Sequence, residues 1–549
     1  MSCGCPTIRP GRSWSSCWTW SSSGRSPPGS PSRPDRVRRS WLASPRGYRR
    51  RWLRTDLLAG LTIWSVLVPE SFACAQLAGV PPETGLYAMI PALLCHGVFG
   101  GPERVPVGPI SVTAALSAVI VAPHVGGGAG FVALSAALAL VAGCAGLVAG
   151  LARLGFAASL IAPPVLRGFT LGLVATVLVG QLPKLLGLPP VSGSVWNRCA
   201  WIAGHLGDIG RSSALLGGLA LLALRAGRRR LPALPIAFIV VIVAVTVSRL
   251  WLLDTRGVEV VDPIDRGLPL PAWPAGIGTA DLLELLGPGI AVLIVGLAEG
   301  MRSMKGAVPQ PNRAVDPNRE LVGIGLANLG SGVLSGMVVG GNPPTAAVSV
   351  RTRTRLGILV AAALAVLTVL FLAGLYERLP SAVLAALAMA VMIELADPAA
   401  ARRMYLMWRQ RRGRVYERSA APDCAAAVAT SLAVLALGVL PGLLAGLVLS
   451  TLLLARRARH CRSVEMQLWP RPDGVLLAQL RTGVCFANAE IFGHTLLHAC
   501  TPHTRAVELD VARCPVFDTT AAETLVELSA ELAWHGVAVR VVDGAPAPS

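Results

Sequence analysis

About fourteen apolar stretches fit to lie in a membrane, with arginine gathered into every second connection between them, leave this chain few ways to fold. A transmembrane helix needs roughly 20 apolar residues. Allowing two short ones, candidates lie near 57–77, 84–100, 107–122, 131–150, 160–181, 212–225, 232–253, 286–304, 321–339, 343–355, 357–376, 380–396, 422–440 and 441–457. Loops on the cytoplasmic side collect Arg and Lys. With the N-terminus inside, basic loops must follow the even-numbered spans, and they do. Arg104, Arg153, the Arg225–Arg230 cluster, Arg302 with Lys305, the Arg351–Arg355 cluster, the Arg402–Arg414 cluster and Arg456–Arg459 follow spans two to fourteen in turn. The loop after the seventh is acidic, with Asp254, Glu259, Asp262 and Asp265. The net charge of +19 is therefore mainly topology and calls for no nucleic-acid partner. With 53% hydrophobic and 14% charged residues, the chain has too little polar surface to cover itself in water; the lipid bilayer is its partner.

Two of the fourteen are too short and too broken to cross as ordinary helices. The third begins "RVPVGPISVTAALSAVIVA" and the tenth "VGGNPPTAAVSVRTRTR", each with Gly and Pro at its start. They stand third in the first seven and third in the second seven. Paired interrupted segments in matching halves point to an inverted-repeat transporter with its site at the midplane. Two half-helices meeting end to end present unpaired N–H groups and two positive dipole ends, which is an anion site. Gly108-Pro109 and Pro343-Pro344 suit such helix starts, and Ser111, Thr345 and Ser349 offer hydroxyl donors. The alternative is a pair of ordinary kinks relieved by neighbouring helices.

Two carboxylates fall inside apolar runs at equivalent positions, Glu70 in the first span and Glu299 in the eighth. A charge at the bilayer centre costs roughly 2.5 to 3.5 kcal/mol, so each is a functional candidate. Pro69-Glu70 is expected to interrupt the first helix beside a cavity, with a second break at Pro81-Pro82. Glu299 with Ser303 one turn on suits a coupling-ion site for H+ or Na+; a salt bridge to Arg302 or Lys305 is the plainer alternative.

These residues resemble the SulP family of anion transporters, which includes sulfate permeases and bicarbonate transporters. "VPESFACAQLAGVPPETGLYAMI" is close to that family's first-span signature, and "VGPISV", "PPVLRGFTLGLVATVLVGQLPKLLG" and "DPNRELVGIGLANLGSGVLSG" add to it. The likeness covers roughly residues 52 to 545. It implies an α-helical polytopic membrane protein of fourteen segments in a 7+7 inverted repeat, a core moving against a gate, working as a homodimer in the cytoplasmic membrane with both termini inside. It implies a small anion substrate held between the first, third, eighth and tenth segments, at Glu70, Cys74, Gly108, Pro109, Ile110, Ser111, Thr345, Val348, Ser349 and Arg351. The chain departs from the pattern at three places. Glu70 stands where Gln is usual, Gly300 where Ser is commoner, and Arg351 comes one residue late after Ser349, which turns its side chain by about 100°.

Beyond the transport domain of residues 51–458 the composition changes. "GVLLAQLRTGVCFANAEIF" reads as strand, turn and helix start, "AVELDVARCPVFDTTAAETLVELSAELAWHG" as strand into amphipathic helix, and "VAVRVVDG" as a strand. Residues 461–549 thus resemble a STAS domain, a small cytoplasmic α/β module and a place for a cytoplasmic partner, and the chain stops before the last helix expected of one. Asp518-Thr519-Thr520 matches the loop phosphorylated in related bacterial antagonists, although Asp518 as a simple helix cap is the favoured alternative. Residues 1–50, rich in Ser, Pro, Gly and Arg at their start, read as disordered and basic. The twelve cysteines are scattered, and only Cys3 and Cys5 are close-set, so no metal site is expected. Nor is any catalytic residue: there is no nucleophile–base pairing and no nucleotide loop. The expected function is secondary active transport of sulfate-like or bicarbonate-like oxyanions, with no cofactor beyond coupling H+ or Na+. A nucleobase permease of similar architecture, or an anion sensor signalling through the tail, are the rivals.

Overall fold

The structure, a computed structural model, describes residues 50–99, 107–124, 130–155, 161–189, 191, 193–231, 234–261, 267–307, 316–342, 356–372, 374, 376–396, 402, 414–458, 464–471, 473–485, 488–501, 503–534 and 536–542. Within Leu42–Arg409 and Pro422–Leu454 the chain forms a helical unit. It runs α1 (Arg50–Ala78), α2 (Pro82–Phe99), β1 (Val107–Gly108), α3 (Ser111–Val121), α4 (Phe131–Leu151), α5 (Pro163–Leu186), α6 (Val195–Gly204), α7 (Arg211–Arg230) and α8 (Ile236–Trp251). Then come α9 (Thr279–Ala307), α10 (Pro317–Val333), β2 (Gly340–Gly341), α11 (Leu356–Leu367), α12 (Ser381–Leu395), α13 (Arg414–Leu437) and α14 (Val439–Ala458). Thirteen of the fourteen expected segments coincide with a helix; the tenth lies outside the described residues.

Three details differ from the sequence reading. α1 does not break at Pro69-Glu70 but continues to Ala78, a single proline costing the helix one hydrogen bond. It ends instead at Gly79, whose φ of 76° closes a Schellman turn: Gly79 N–H donates to Gln76 C=O at 3.3 Å and Val80 N–H to Ala75 C=O at 3.1 Å. Pro82 then opens α2 at the position where a proline forfeits nothing. The ninth segment stays helical only to Val333 and is extended by Gly340, with Ser335 at φ 53° between. The short helix α6, begun by the Ser194 side chain accepting from Asn197 N–H at 3.3 Å, was not expected.

The helices sort into two groups. α1 to α4 pack with α9, α10 and α11, whereas α5, α7 and α12 pack on one another. The groups meet chiefly where α1 lies against α12 and α8, with the Trp64 and Phe238 rings 5.0 Å apart. Within the first group α1 and α2 approach so closely at Gly85 that a Cβ there would lie 2.2 Å from the Ser71 carbonyl oxygen. The glycine of "PPETGLY" is therefore a packing requirement.

The second unit, described by itself, holds a four-stranded sheet in the order β3 (Met466–Pro470), β4 (Val475–Leu480), β5 (Ala506–Asp510), β6 (Ala538–Val542). β3 pairs antiparallel with β4, and β4, β5 and β6 run parallel. Parallel neighbours need crossovers, supplied by α15 (Ala489–Ala499) and α16 (Thr519–Trp534). Leu476, Leu480, Val507, Leu509, Phe492, Phe517 and Leu528 form its core. The expected strands and helices are present; the edge strand β3 is additional.

Candidate anion site

The segments leading into the third and tenth spans come together. β1 and β2 pair antiparallel, Val107 opposite Gly341 and Gly108 opposite Gly340, to make a two-stranded ribbon inside the helical unit. Its strands are buried, and so are Pro109, Ile110 and Asn342 beyond them. Backbone of this kind survives at membrane depth only when enclosed by protein or lining a wet cavity.

Two sets of contacts fix the ribbon. α9 lies against it through small residues: a Cβ on Gly300 would sit 3.2 Å from Gly341 Cα, and one on Gly296 would sit 3.8 Å from Gly340 Cα. The departure from Ser at position 300 therefore lets the helix carrying Glu299 rest directly on β2. From the other side, α10 clasps the extended approach to β2. Asn328, fully buried, donates from Nδ2 to Val339 C=O and accepts at Oδ1 from Val339 N–H, both at 2.9 Å, and Ser331 Oγ donates to Met337 C=O at 2.6 Å. Asn328 thus acts on this backbone as a neighbouring strand would.

Around the ribbon the predicted side chains gather. Asn342 Nδ2 donates to Pro109 C=O at 3.0 Å, joining the two entering segments. The Glu70 carboxyl, only 7% exposed, lies within hydrogen-bonding range of the Asn342 side chain, while its Oε2 is buried without a hydrogen-bond partner among the described residues. One turn on, Cys74 is fully buried and within hydrogen-bonding range of Ser111. Ser111 opens α3, whose first helical bond runs from Ala114 N–H to Ile110 C=O at 3.0 Å. The N–H groups of Ser111, Val112 and Thr113 therefore precede the ladder, as at every helix start. Gly108, in β1, lies against α1 and the Asn342 side chain, a Cβ there falling 3.5 Å from Leu67 Cδ2 and 3.7 Å from Asn342 Nδ2.

Glu70, Cys74, Gly108, Pro109, Ile110 and Ser111 thus cluster, and Glu299, 2% exposed, sits on the helix laid over β2. Thr345, Val348, Ser349 and Arg351 lie outside the described residues, as does the Ser303 side chain, although Ser303 falls within α9. Asn342 and Asn328 were missed. The run "VGGNPP" holds the first in plain view, but nothing in its pattern says that its amide bridges two halves of the chain. In the second unit Asp518 is 1% exposed and caps α16, its Oδ1 accepting from Ala521 N–H at 2.8 Å. Thr520 Oγ1 is buried nearby, and the Thr519 side chain is outside the described residues.

Comparison with known proteins identifies the family and the fold. Residues 53–412 match the Sulfate permease family. A probable sulfate transporter of Mycobacterium tuberculosis is 31% identical over 513 residues, covering 90% of this chain and 89% of that protein. Probable sulfate transporter 3.3 of Arabidopsis thaliana is 27% identical over 372 residues, 64% of this chain and 58% of the relative. Among solved structures, the murine Solute Carrier 26 family member A9 anion transporter in its inward-facing state superposes with a TM-score of 0.66 at 20% identity, over 91% of this chain and 87% of that one. The transmembrane domain of the cyanobacterium bicarbonate transporter BicA does so with 0.59 at 19% identity, over 73% of this chain and 98% of that one.

Proposed function

This chain belongs to the sulfate permease family, and from that premise we propose that it is a secondary active transporter of small inorganic oxyanions, sulfate first, working by alternating access. The observation that supports this most is the β1–β2 ribbon, which brings the entrances of the third and tenth segments side by side at the start of α3. A tetrahedral or trigonal oxyanion is recognised well by backbone N–H groups at a helix start, aided there by the Ser111 hydroxyl. The two helix groups supply the moving parts, α1 to α4 with α9 to α11 as the body that carries the ribbon and α5, α7 and α12 as the body it slides against.

A carboxylate beside an anion site repels the anion unless it holds a proton. Glu70 in place of the usual Gln therefore ties substrate binding to proton uptake at Glu70, while Glu299 on the helix over β2 carries the coupling H+ or Na+. The sulfate named in the relatives' descriptions favours sulfate over bicarbonate as the first anion to try. The arginine parity supports a cytoplasmic-membrane protein with both ends inside, and the family likeness a homodimer.

Uptake of labelled sulfate and labelled bicarbonate into proteoliposomes, under an imposed proton or sodium gradient, tests the proposal. Accumulation of either anion above equilibrium, driven by one gradient, is expected. Saturable anion binding without flux under any gradient would contradict transport and favour a sensor.

A further inference from the structure

A cavity of about 290 Å³ lies between the last turns of α7 and α12, and its walls are strongly cationic. Three arginines line it, Arg225, Arg228 and Arg229, spaced so that all fall on one face of α7, together with Leu224, Ile393 and a single carboxylate, Glu394. Arg228 is ion-paired with Glu394 across the gap, the two side chains 35% and 44% exposed. Neither Arg225 nor Arg229 makes an ion pair among the described residues. Glu394 stands in the final turn of α12, where the helix dipole disfavours a carboxylate, so the arginines facing it, and not its own helix, hold it there. The Arg228 guanidinium is also within electrostatic range of the Glu70 carboxyl on α1. One cation thus interacts with both the exposed acid of this cavity and the buried acid of the candidate site.

We propose that this cavity is an anion-holding vestibule in which Glu394 occupies, as a tethered competitor, the seat that a free oxyanion takes on Arg228. Guanidinium binds the oxygens of a carboxylate and of sulfate or phosphate by the same forked geometry, so an incoming oxyanion replaces Glu394 without any rearrangement of Arg228. Arg225 and Arg229 then balance the second charge of a dianion, which the carboxylate of Glu394 does not carry. The vestibule concentrates anion at one mouth and presents it on a cation already in the field of Glu70. It rests on the reading of the chain as an anion transporter but makes a separate claim about α7 and α12.

The test is sulfate binding to the full-length protein in lipid nanodiscs by calorimetric titration, with sulfate uptake measured in parallel on the same variants. Glu394→Gln removes the competitor and is expected to tighten sulfate binding about fivefold, the scale of one partly exposed ion pair. Arg228→Gln is expected to weaken it by at least as much, with Arg228→Lys restoring part. Should Arg228→Gln fail to fold, Arg225→Gln with Arg229→Gln removes two cations without touching the ion pair and is expected to weaken binding likewise. Unchanged or weaker binding in Glu394→Gln, equal binding in all arginine variants, or no saturable binding at all would overturn the vestibule. Sulfate uptake that persists with identical half-saturation in every variant would overturn it while leaving the transport reading intact. Tighter binding in Glu394→Gln with no flux in any protein would do the reverse.

Discussion

Asn342→Ala removes a side chain that joins the two halves of the candidate site. In the structure Asn342 is fully buried, and its Nδ2 donates to Pro109 C=O at 3.0 Å across 233 positions of sequence. Truncation leaves that carbonyl buried with no donor, a cost of about 1 to 3 kcal/mol, and takes a polar partner from Glu70. A central value of about 2 kcal/mol corresponds to roughly 30-fold in the equilibrium constant between the closed and the open ribbon. Initial rates of sulfate uptake, at matched protein per liposome, should therefore fall at least tenfold, and the thermal unfolding midpoint should drop. Asn342→Asp sharpens the test, because it keeps the shape but sets an acceptor against the Pro109 carbonyl and a second carboxylate near Glu70; its loss should exceed that of Asn342→Ala. Uptake and unfolding within twofold and one degree of wild type for Asn342→Ala would refute the view that this amide holds the site together.

Three further outcomes are expected. Gly85→Ala forces a Cβ to within 2.2 Å of Ser71 O, so folded yield by size-exclusion chromatography should collapse, whereas Gly218→Ala in α7, where a Cβ meets nothing within 4 Å, should be neutral or stabilising by about 0.5 to 1 kcal/mol. Glu299→Gln should abolish gradient-driven accumulation in proteoliposomes yet spare sulfate exchange; accumulation at the wild-type level would rule out a coupling role. In the second unit burial pushes the Cys514 thiol up, away from the reactive thiolate, so mass spectrometry after alkylation at neutral pH should find Cys514 unlabelled until the protein is denatured and the exposed Cys199 labelled at once.

Much of this architecture is legible in the sequence because membranes impose strong rules. Length and apolarity mark the spans, arginine parity orders them, and the matched "VGPIS" and "VGGNPP" breaks pick out the two segments whose approaches pair as β1 and β2. The failures are just as physical. "LSGMVVGG" after Val333 is as apolar as a helix, and hydropathy does not distinguish a helix from extended chain whose carbonyls and amides are met by Asn328 and Ser331. Pro69 looks like a helix breaker, yet neighbouring turns carry α1 through it, and the true stop is Gly79 at a positive φ. β3 was missed because "MQLWP" is a partly buried edge strand with no alternation of exposure to announce it. Asn342 and the Arg228–Glu394 pair depend on contacts between segments far apart in the chain, which no local pattern encodes.

The central claim, that an oxyanion sits where the β1–β2 ribbon meets the start of α3, is most directly tested with selenate, whose anomalous scattering reveals its position in crystals of the protein. The account predicts a selenate peak within hydrogen-bonding distance of the Ser111 hydroxyl and the first N–H groups of α3. A protein that transports sulfate but shows its selenate elsewhere, with that helix start closed off by side chains, would contradict it.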